Sequence, residues 1–267
     1  MLGISADFQG CEIRVAAALS GDMGLYEAEI SPWCYKCERD STEGSECPCG
    51  VKDDGTLAAH QGLHWRTAHG AHKHEATKEH RYMAKRGTFT RLFGGGYSTA
   101  AAQVGCAESD MQKIFKSFDD NAPDFTAWDN EMRDWYKAGS LVWRDYTTGQ
   151  NHVESIDGHN RMIYQAYSGR PIYIANGAHA AGNGAIQGTA RELLVDGTLK
   201  WRKTRWGLLP LLPIHDQLLG FVPAQEAEAA SVELARCMET RVLSSPGFEV
   251  FIGADVDRPF KSWPDSS

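Results

Sequence analysis

The sequence predicts an α+β fold, with strands near both ends of the chain and helices between them. An apolar strand at Leu2–Phe8 leads directly into a helical pattern at Glu12–Leu19. Helical repeats of apolar residues fill the middle of the chain, at Ser109–Asp119 and Phe125–Lys137. Towards the end, two apolar runs flank a His-Asp pair, as the strands of a hairpin do.

The elements after residue 140 complete this pattern. A Pro-Ile-His-Asp-Gln-Leu-Leu segment gives the hairpin its turn, and an Ala-rich stretch follows it. In chain order we predict short strands and loops at 143–173, a helix at 188–195, hairpin strands at Leu208–Pro213 and Leu218–Val222, a long helix at Ala224–Leu243 and a last strand at Glu249–Val256.

Length and composition are those of an ordinary globular domain. The chain has 267 residues, of which 42% are hydrophobic and 23% are charged. No apolar run approaches the roughly 18 residues of a membrane span. The N-terminus lacks the basic segment and apolar core of a signal peptide. We therefore expect no membrane segment and a cytoplasmic location.

The distribution of charge says more than its total. The net charge of −8 at first argues against a nucleic-acid partner. However, residues 66–91 carry seven cations against only Glu75 and Glu79. A second cluster at residues 200–205 contains four cations, with Trp201 and Trp206 beside them. Such patches suit a phosphate backbone and stacked bases, and a solvated charged face is the equal alternative for the second cluster.

One helical stretch has an unusual face. Arg81, Lys85, Phe89 and Phe93 recur every four residues, which places them on one side of a helix that a glycine run ends. Two cations followed by two rings suit a polyphosphate joined to a flat base. The alternative is a solvated basic helix with a buried Phe edge.

Two acidic segments lie far apart in the chain. Asp7 stands at the end of the first strand, and Asp216 follows His215 between the two apolar runs of the hairpin. Alone, Asp7 would be an ordinary helix N-cap. Together the two aspartates are candidates to hold Mg²⁺, which prefers a few carboxylates with phosphate oxygens and water.

These segments resemble motifs A, B and C of the family A DNA polymerases, the bacterial DNA polymerase I type, and most of all their bacteriophage members. The segment Asn183–Ala190 is similar to a fourth family motif, and the order and rough spacing agree. The resemblance implies an antiparallel palm sheet and a mostly helical fingers subdomain. It also implies nucleotidyl transfer with two Mg²⁺ ions, in which Asp7 and Asp216 hold metal and Lys85 and Arg81 neutralise the triphosphate.

Further roles follow from the same resemblance. It implies that the incoming nucleotide is bound by Glu12, His64, Arg81, Lys85, Phe89 and Phe93. It implies that the primer-template is bound by Asn183, Gln187, His215 and Arg14. The chain departs from the family at Gln217, where a Glu is usual, and at Gln9 and Gly10, which replace Ser-Gln.

A cysteine-rich segment does not fit the family pattern. Four cysteines form two close pairs, C-x-x-C and C-x-C, at Cys34, Cys37, Cys47 and Cys49. Four thiolates can enclose Zn²⁺, so we predict a small zinc-ribbon-like insertion; free or partly paired cysteines are the alternative. The predicted division is palm at 1–24, insertion at 25–60, fingers at 61–165 and palm at 166–267.

The predicted function is template-directed DNA polymerisation from dNTPs. In the family a thumb and any exonuclease precede motif A, whereas here Met1 lies just before Asp7. We therefore expect a second polypeptide that carries the thumb or exonuclease, and a strand Leu2–Phe8 that needs neighbours. The alternatives are a non-catalytic, zinc-containing DNA-binding protein derived from a polymerase and, more remotely, an unrelated metal hydrolase.

Overall fold

The computed structural model describes residues 1–30, 33–34, 39–40, 62–145, 147–156 and 158–261. Helices and strands are both abundant in these ranges, which confirms the mixed α and β class. None of the helices within them is long and apolar enough to cross a membrane. The side chains of the four paired cysteines lie outside the described residues, so the zinc prediction is not tested there.

The main sheet is antiparallel and joins the two ends of the chain. Its strands are ordered β12-β1-β9-β8, comprising β1 (Leu2–Phe8), β8 (Leu211–Ile214), β9 (Gln217–Val222) and β12 (Ala254–Val256). β1 is central, paired with β9 from Leu2↔Val222 to Asp7↔Gln217 and with β12 on its other side. The expectation that β1 lacks neighbours in this chain was therefore wrong, because residues about 250 positions away supply one of them.

Helices and a hairpin cover the main sheet and form the larger core. α9 (Ala227–Met238) packs against β1, β9 and β12. α1 (Cys11–Ser20) is buried along nearly its whole length, between α8 (Ala181–Trp201) and the hairpin of β10 and β11. That hairpin pairs β10 (Thr240–Ser245) with β11 (Phe248–Ile252).

The middle of the chain is helical, as predicted. α2 (Met23–Ile30) directly follows Asp22, whose carboxylate accepts a hydrogen bond from the Leu25 backbone N–H at 2.7 Å. The following helices are α3 (Leu63–His72), α4 (Lys78–Leu92), α5 (Tyr97–Val104), α6 (Glu108–Asn121) and α7 (Pro123–Ala138). Helices α3 to α6 enclose a second, smaller core that contains Trp65, Ala84, Met111 and Ile114.

A second sheet follows α7 and docks on α8. Its order is β5-β4-β6-β7, comprising β4 (Ser140–Asp145), β5 (Gln150–Ser155), β6 (Met162–Gln165) and β7 (Pro171–Ile174). β4 and β6 are parallel, and the other pairs are antiparallel. β7 fits against α8 at two glycines: a Cβ on Gly184 or Gly188 would lie 2.9 Å from Ile174 or 2.0 Å from Ile172.

Several predicted boundaries need correction. The predicted helix Ala224–Leu243 ends at Met238, because Thr240–Ser245 pairs with β11 across a Pro-Gly turn. The predicted last strand is two strands, β11 and β12, separated at Gly253. The predicted division between fingers and palm at 165/166 lies between β6 and β7 of one sheet, and this division stays a prediction. The short strands β2 (Trp33–Cys34) and β3 (Arg39–Asp40) pair within the predicted insertion.

Candidate active site

A tight hairpin turn brings Asp216 beside Asp7. Ile214 pairs with Gln217, so His215 and Asp216 alone form the turn between β8 and β9. His215 has φ 55, the left-handed conformation that two-residue hairpin turns require at their first position. The backbone N–H of Phe8 donates to the Asp216 carbonyl at 3.2 Å, which fixes the turn against the end of β1.

The end of β1 carries a face rich in carboxylates. Asp7 lies opposite Asp255 on β12 and Gln217 on β9, and directly opposite residues of an antiparallel pair share a face. Asp257, two residues after Asp255, accepts a hydrogen bond from the buried Ser5 hydroxyl. This face is therefore formed by both ends of the chain together with the hairpin.

Burial and the neighbouring carboxylates perturb Asp7. Burial raises the pKa of Asp7 to about 6, with further increases from the charge of Asp216, a hydrogen bond between these two carboxyls and the charge of Asp257. Burial, followed by Glu12, Asp216 and Asp7, raises the pKa of the Cys11 thiol, so it stays protonated. A cation at this face would relieve the repulsion, and oxygen donors of this kind suit Mg²⁺.

Gln217 limits the number of carboxylates that could bind a metal ion at this face. Its register places an amide opposite Asp7 where the resemblance leads us to expect a second carboxylate. In the part of the chain that the structure describes, no three His, Cys, Asp or Glu side chains are arranged to hold a metal ion. The residues that fit Mg²⁺ are thus Asp7 and Asp216, which leave the other positions to water and substrate oxygens.

A cleft of about 720 Å³ opens beside Asp216, between α8, β7 and the hairpin. Four predicted site residues line it together: Glu12, Gln187, His215 and Asp216. Arg170 and Arg191 add two cations to the cleft. The cleft is large enough for a nucleotide-sized ligand, and it joins the carboxylate face to α8.

The cationic face of α4 forms as predicted. Thr77 caps the helix by accepting from the backbone N–H of His80, and the His80 ring accepts from the Thr77 N–H. Lys85 is exposed and Arg81 is half-buried. Among the residues described, neither cation forms an ion pair within 4.0 Å, so both are available to an anion.

A row of rings continues this face. His64 lies 5.7 Å from Phe89, and Phe89 lies 5.9 Å from Phe93, between ring centroids. Burial, and then the charges of Arg81 and Lys85, lower the pKa of His64 to about 3. His64 is therefore neutral, and its buried Nδ1 has no hydrogen-bond partner in the described residues. It can offer a hydrogen bond to a phosphate, but not a charge.

Two residues predicted to contact DNA, Arg14 and Asn183, are buried or half-buried. Arg14 is 8% exposed, and its guanidinium donates to the Phe251 carbonyl at 3.1 Å and to Gln9 Oε1 at 3.4 Å. These contacts hold α1 to β11, and its role towards DNA stays a prediction. Asn183 is half-buried near the start of α8, with a buried Oδ1 that has no described partner.

In both basic clusters the structure buries side chains that the sequence pattern placed on a binding surface. Arg91 is buried and paired with Asp119 at 3.0 Å and Asp129 at 2.7 Å, so it serves the fold. Trp201 and Trp206 stack on each other at 5.8 Å and are almost fully buried. The aromatic residues of the second cluster are therefore not platforms for bases, which favours the interpretation of a solvated charged face.

The sequence reasoning missed several charged groups near this site, including Asp257, Arg191 and Glu29. Asp257 acts on Asp7 across β1 and β12. Arg191 lines the cleft one helical turn after Gln187, a spacing that could have been noticed. Glu29, at the end of α2, experiences the charges of Arg14, Arg81 and Lys85. No sequence pattern marks Glu29 or Asp257, since long-range packing brings both to the site.

Comparisons with known proteins agree on one family. The sequence profile of DNA polymerase family A matches residues 1–263. The chain is 26% identical over 261 residues to the DNA polymerase of Mycobacterium phage D29 and 23% identical over 259 residues to that of Mycobacterium phage L5. These alignments cover 97% of this chain but only 34% and 33% of the phage proteins.

The fold has a solved counterpart. It is similar to the POL domain of Pol1 from M. smegmatis, solved in complex with DNA primer-template and dNTP, with a TM-score of 0.64 and 18% identity. The match covers 98% of this chain and 40% of that one. The chain thus spans about a third of each phage polymerase and less than half of the solved structure.

Proposed function

Because the chain belongs to DNA polymerase family A, we propose that it forms the palm and fingers of a template-directed DNA polymerase. The observation that carries this proposal is the register of β1 and β9, which brings Asp7 and Asp216 together beside a cleft. Arg81 and Lys85 of α4, which form no ion pair within the part of the chain that the structure describes, support it. A dNTP would be the donor of the nucleotidyl group and a primer 3′-hydroxyl the acceptor.

Asp7 and Asp216 are the residues that would hold Mg²⁺, as two ions in the proposed mechanism. When bound, Mg²⁺ supplies Lewis-acid activation of the 3′-hydroxyl and charge neutralisation at the leaving pyrophosphate. The two carboxylates are pre-assembled by the hairpin turn, and their mutual repulsion favours a cation between them. Gln217 would add an amide, not a charge, so the negative charge of the site comes from fewer residues than is usual in the family.

The chain's own side chains would bind and orient the nucleotide. Arg81 and Lys85 would neutralise the triphosphate, where charge develops as pyrophosphate leaves. His64, being neutral, would donate a hydrogen bond to a phosphate oxygen. Phe89 and Phe93 would lie against the sugar and base, and Glu12 would crowd the sugar from the cleft wall.

The cleft would hold the primer-template. Gln187 on α8 and His215 in the hairpin turn both line it, so they would contact the primer-template near the reacting end. Asn183 lies one turn before Gln187 on α8 and would extend the same contact. Arg14 would act indirectly: its guanidinium donates hydrogen bonds to Gln9 and to a carbonyl of β11, and so would hold both in place beside the primer-template.

Three accompanying features belong to the same proposal. A separate polypeptide would supply the thumb or exonuclease. Zn²⁺ would be bound by Cys34, Cys37, Cys47 and Cys49. Mass spectrometry of the native protein would detect one zinc per chain before chelation and none after it. The protein would act in the cytoplasm, which is the host cytoplasm if a phage encodes it.

Primer extension tests the central proposal. The chain would be assayed with Mg²⁺, dNTPs and primed template, alone and with a polypeptide that carries a thumb. We expect extension in at least one mixture, and a loss of at least about 100-fold in Asp216→Ala, since metal charge stabilisation is worth several kcal/mol. Asp134→Ala, an exposed carboxylate on α7, is the matched control and should be fully active.

The competing function is DNA binding without catalysis. Gln217, and the finding that no three His, Cys, Asp or Glu side chains of the described residues are arranged to hold a metal ion, favour it. DNA binding without extension in either mixture would support this alternative and refute the catalytic proposal.

A further inference from the structure

Arg191 is a cation of α8 that the site described above does not use. It is exposed and lines the cleft together with Asp216, one helical turn after Gln187. Among the residues described, Arg191 forms no ion pair within 4.0 Å. Lys200, the other cation of α8, is paired with Asp196 at 2.8 Å. The charge of Arg191 is therefore available to an anion in the cleft.

The acid next to Arg191 in the sequence is engaged with another group. The Glu192 side chain is only 9% exposed, and its Oε1 accepts from Arg170 Nε at 2.9 Å. Its Oε2 accepts from the Ser168 backbone N–H at 3.0 Å. Arg170 also donates to the Gly188 carbonyl at 3.5 Å, so this second cleft arginine is held by the fold. The guanidinium of Arg191, in contrast, has no partner among the described residues.

The rest of the cleft lining indicates which part of a nucleic acid fits there. Among the described residues that line the cleft, none is Phe, Tyr or Trp, the side chains on which unstacked bases rest. Val195 and Leu199 line it, one and two helical turns after Arg191, and they are 49% and 56% exposed. A guanidinium followed by aliphatic side chains suits a DNA backbone, with its charged phosphates and its sugars, better than it suits unpaired bases.

We propose that Arg191 binds a backbone phosphate of the paired part of the primer-template. This inference rests on the proposed function, since it takes the cleft to hold the primer-template. An α-helix rises about 1.5 Å per residue, so Arg191 lies about 6 Å along α8 from Gln187, which equals about two base-pair steps of DNA. Arg191 is a positioning residue here and touches no reacting atom.

The first test is equilibrium binding of a fluorescent primer-template over a range of salt concentrations, with the full chain alone and with a polypeptide that carries a thumb. Arg191→Gln removes the charge, so it should bind roughly tenfold more weakly at low salt. The slope of log affinity against log salt concentration should become shallower by about 0.9, the contribution of one phosphate contact in duplex DNA. Arg191→Lys keeps the charge and should keep the slope.

A neutral backbone then locates the contact. Methylphosphonate linkages, which lack the phosphate charge, would replace the phosphates of the duplex one at a time, and afterwards those of the single-stranded template. At one duplex position the neutral linkage should weaken binding to the native protein. The same linkage should cause no further loss in Arg191→Gln, because this variant has already lost the contact.

Arg202→Gln is the matched control. Arg202 directly follows α8, is exposed and is not one of the residues that line the cleft. Removing its charge should leave both the affinity and the salt slope unchanged. Thermal unfolding verifies that each variant is folded, and Arg191→Gln should unfold at the native temperature because its side chain has no described partner to lose.

The outcomes separate the two proposals. Unchanged affinity and salt slope in Arg191→Gln, an equal loss in Arg202→Gln, or an effect that maps to the single-stranded template would each refute the Arg191 contact. Primer extension by the native protein would in those cases leave the proposed function standing. Failure of the native chain to bind the primer-template in either mixture overturns the proposed function and the Arg191 contact together.

Discussion

The ionisation of Asp7 is the most direct measure of the carboxylate face. The pKa of about 6, against 3.8 for an unperturbed Asp, means that about a tenth of the Asp7 carboxyls are ionised at pH 5 and about nine tenths at pH 7. Because a metal ligand must be deprotonated, affinity for Mg²⁺ or Mn²⁺ should fall as the pH drops below 6, by up to tenfold per unit. Above about pH 7 the contribution of Asp7 to this dependence should vanish.

The causes of the shift predict how variants change it. Burial is the largest cause and Asp216 the second, so Asp216→Asn should lower the pKa of Asp7 only partway towards 3.8. Asp257→Asn should lower it less, because the charge of Asp257 is a weaker cause. Gln217→Glu adds a negative charge opposite Asp7 and should raise it further. These signs follow from like charges disfavouring the ionised form.

The measurement is a ¹³C NMR titration of carboxyl resonances in the metal-free protein, with Asp7→Asn identifying the Asp7 signal. Calorimetric titration with Mn²⁺ at several pH values then tests the metal affinity of the same variants. A native Asp7 that titrates near pH 4, or one that is insensitive to Asp216→Asn, would refute the reasoning about this face.

Two further predictions concern the scaffold that holds the site. Asp129 is buried and accepts hydrogen bonds from two arginines, so Asp129→Asn should lower the free energy of unfolding in urea by about 3–5 kcal/mol. Asp134→Asn, at an exposed ion pair on the same helix, should lower it by less than about 1 kcal/mol. Equal losses would contradict the importance assigned to the buried pairs. Gly188→Ala should lower stability by about 1–3 kcal/mol, because its Cβ would meet an isoleucine of β7 at 2.0 Å. Gly96→Ala meets nothing within 4 Å and needs no positive φ, so it loses only the N-cap preference for glycine and should cost less than about 1 kcal/mol. A similar loss in both variants would show that packing on β7 is not the cause.

Local sequence signals predict the correct type of most elements. The strand Leu2–Phe8 is predicted to its exact ends, and helix α6 begins within a residue of the prediction, because alternation and helical period are properties of the segment itself. The predicted end of the helix at Leu243 was wrong, because Thr240–Ser245 pairs with β11 and forms a strand. An apolar run allows helix or strand, and tertiary contacts decide between them.

The same distinction applies to the site. Asp7, Asp216, Arg81 and Lys85 could be proposed from the sequence because a recurring pattern surrounds each of them. The influence of Asp257 on Asp7 depends on the register of β1 and β12, and that register is set by pairing across about 250 residues. A sequence does not state its long-range strand register, so this part of the site becomes visible only in the folded chain.

The two halves of the proposed site rest on different cores, and α4 joins them. Asp7 and Asp216 are held by the main sheet, whose core includes Leu92 at the end of α4, while Ala84, next to Lys85, packs in the smaller helical core. The distance from the carboxylates to the α4 cations is therefore set by the angle between two separately packed units.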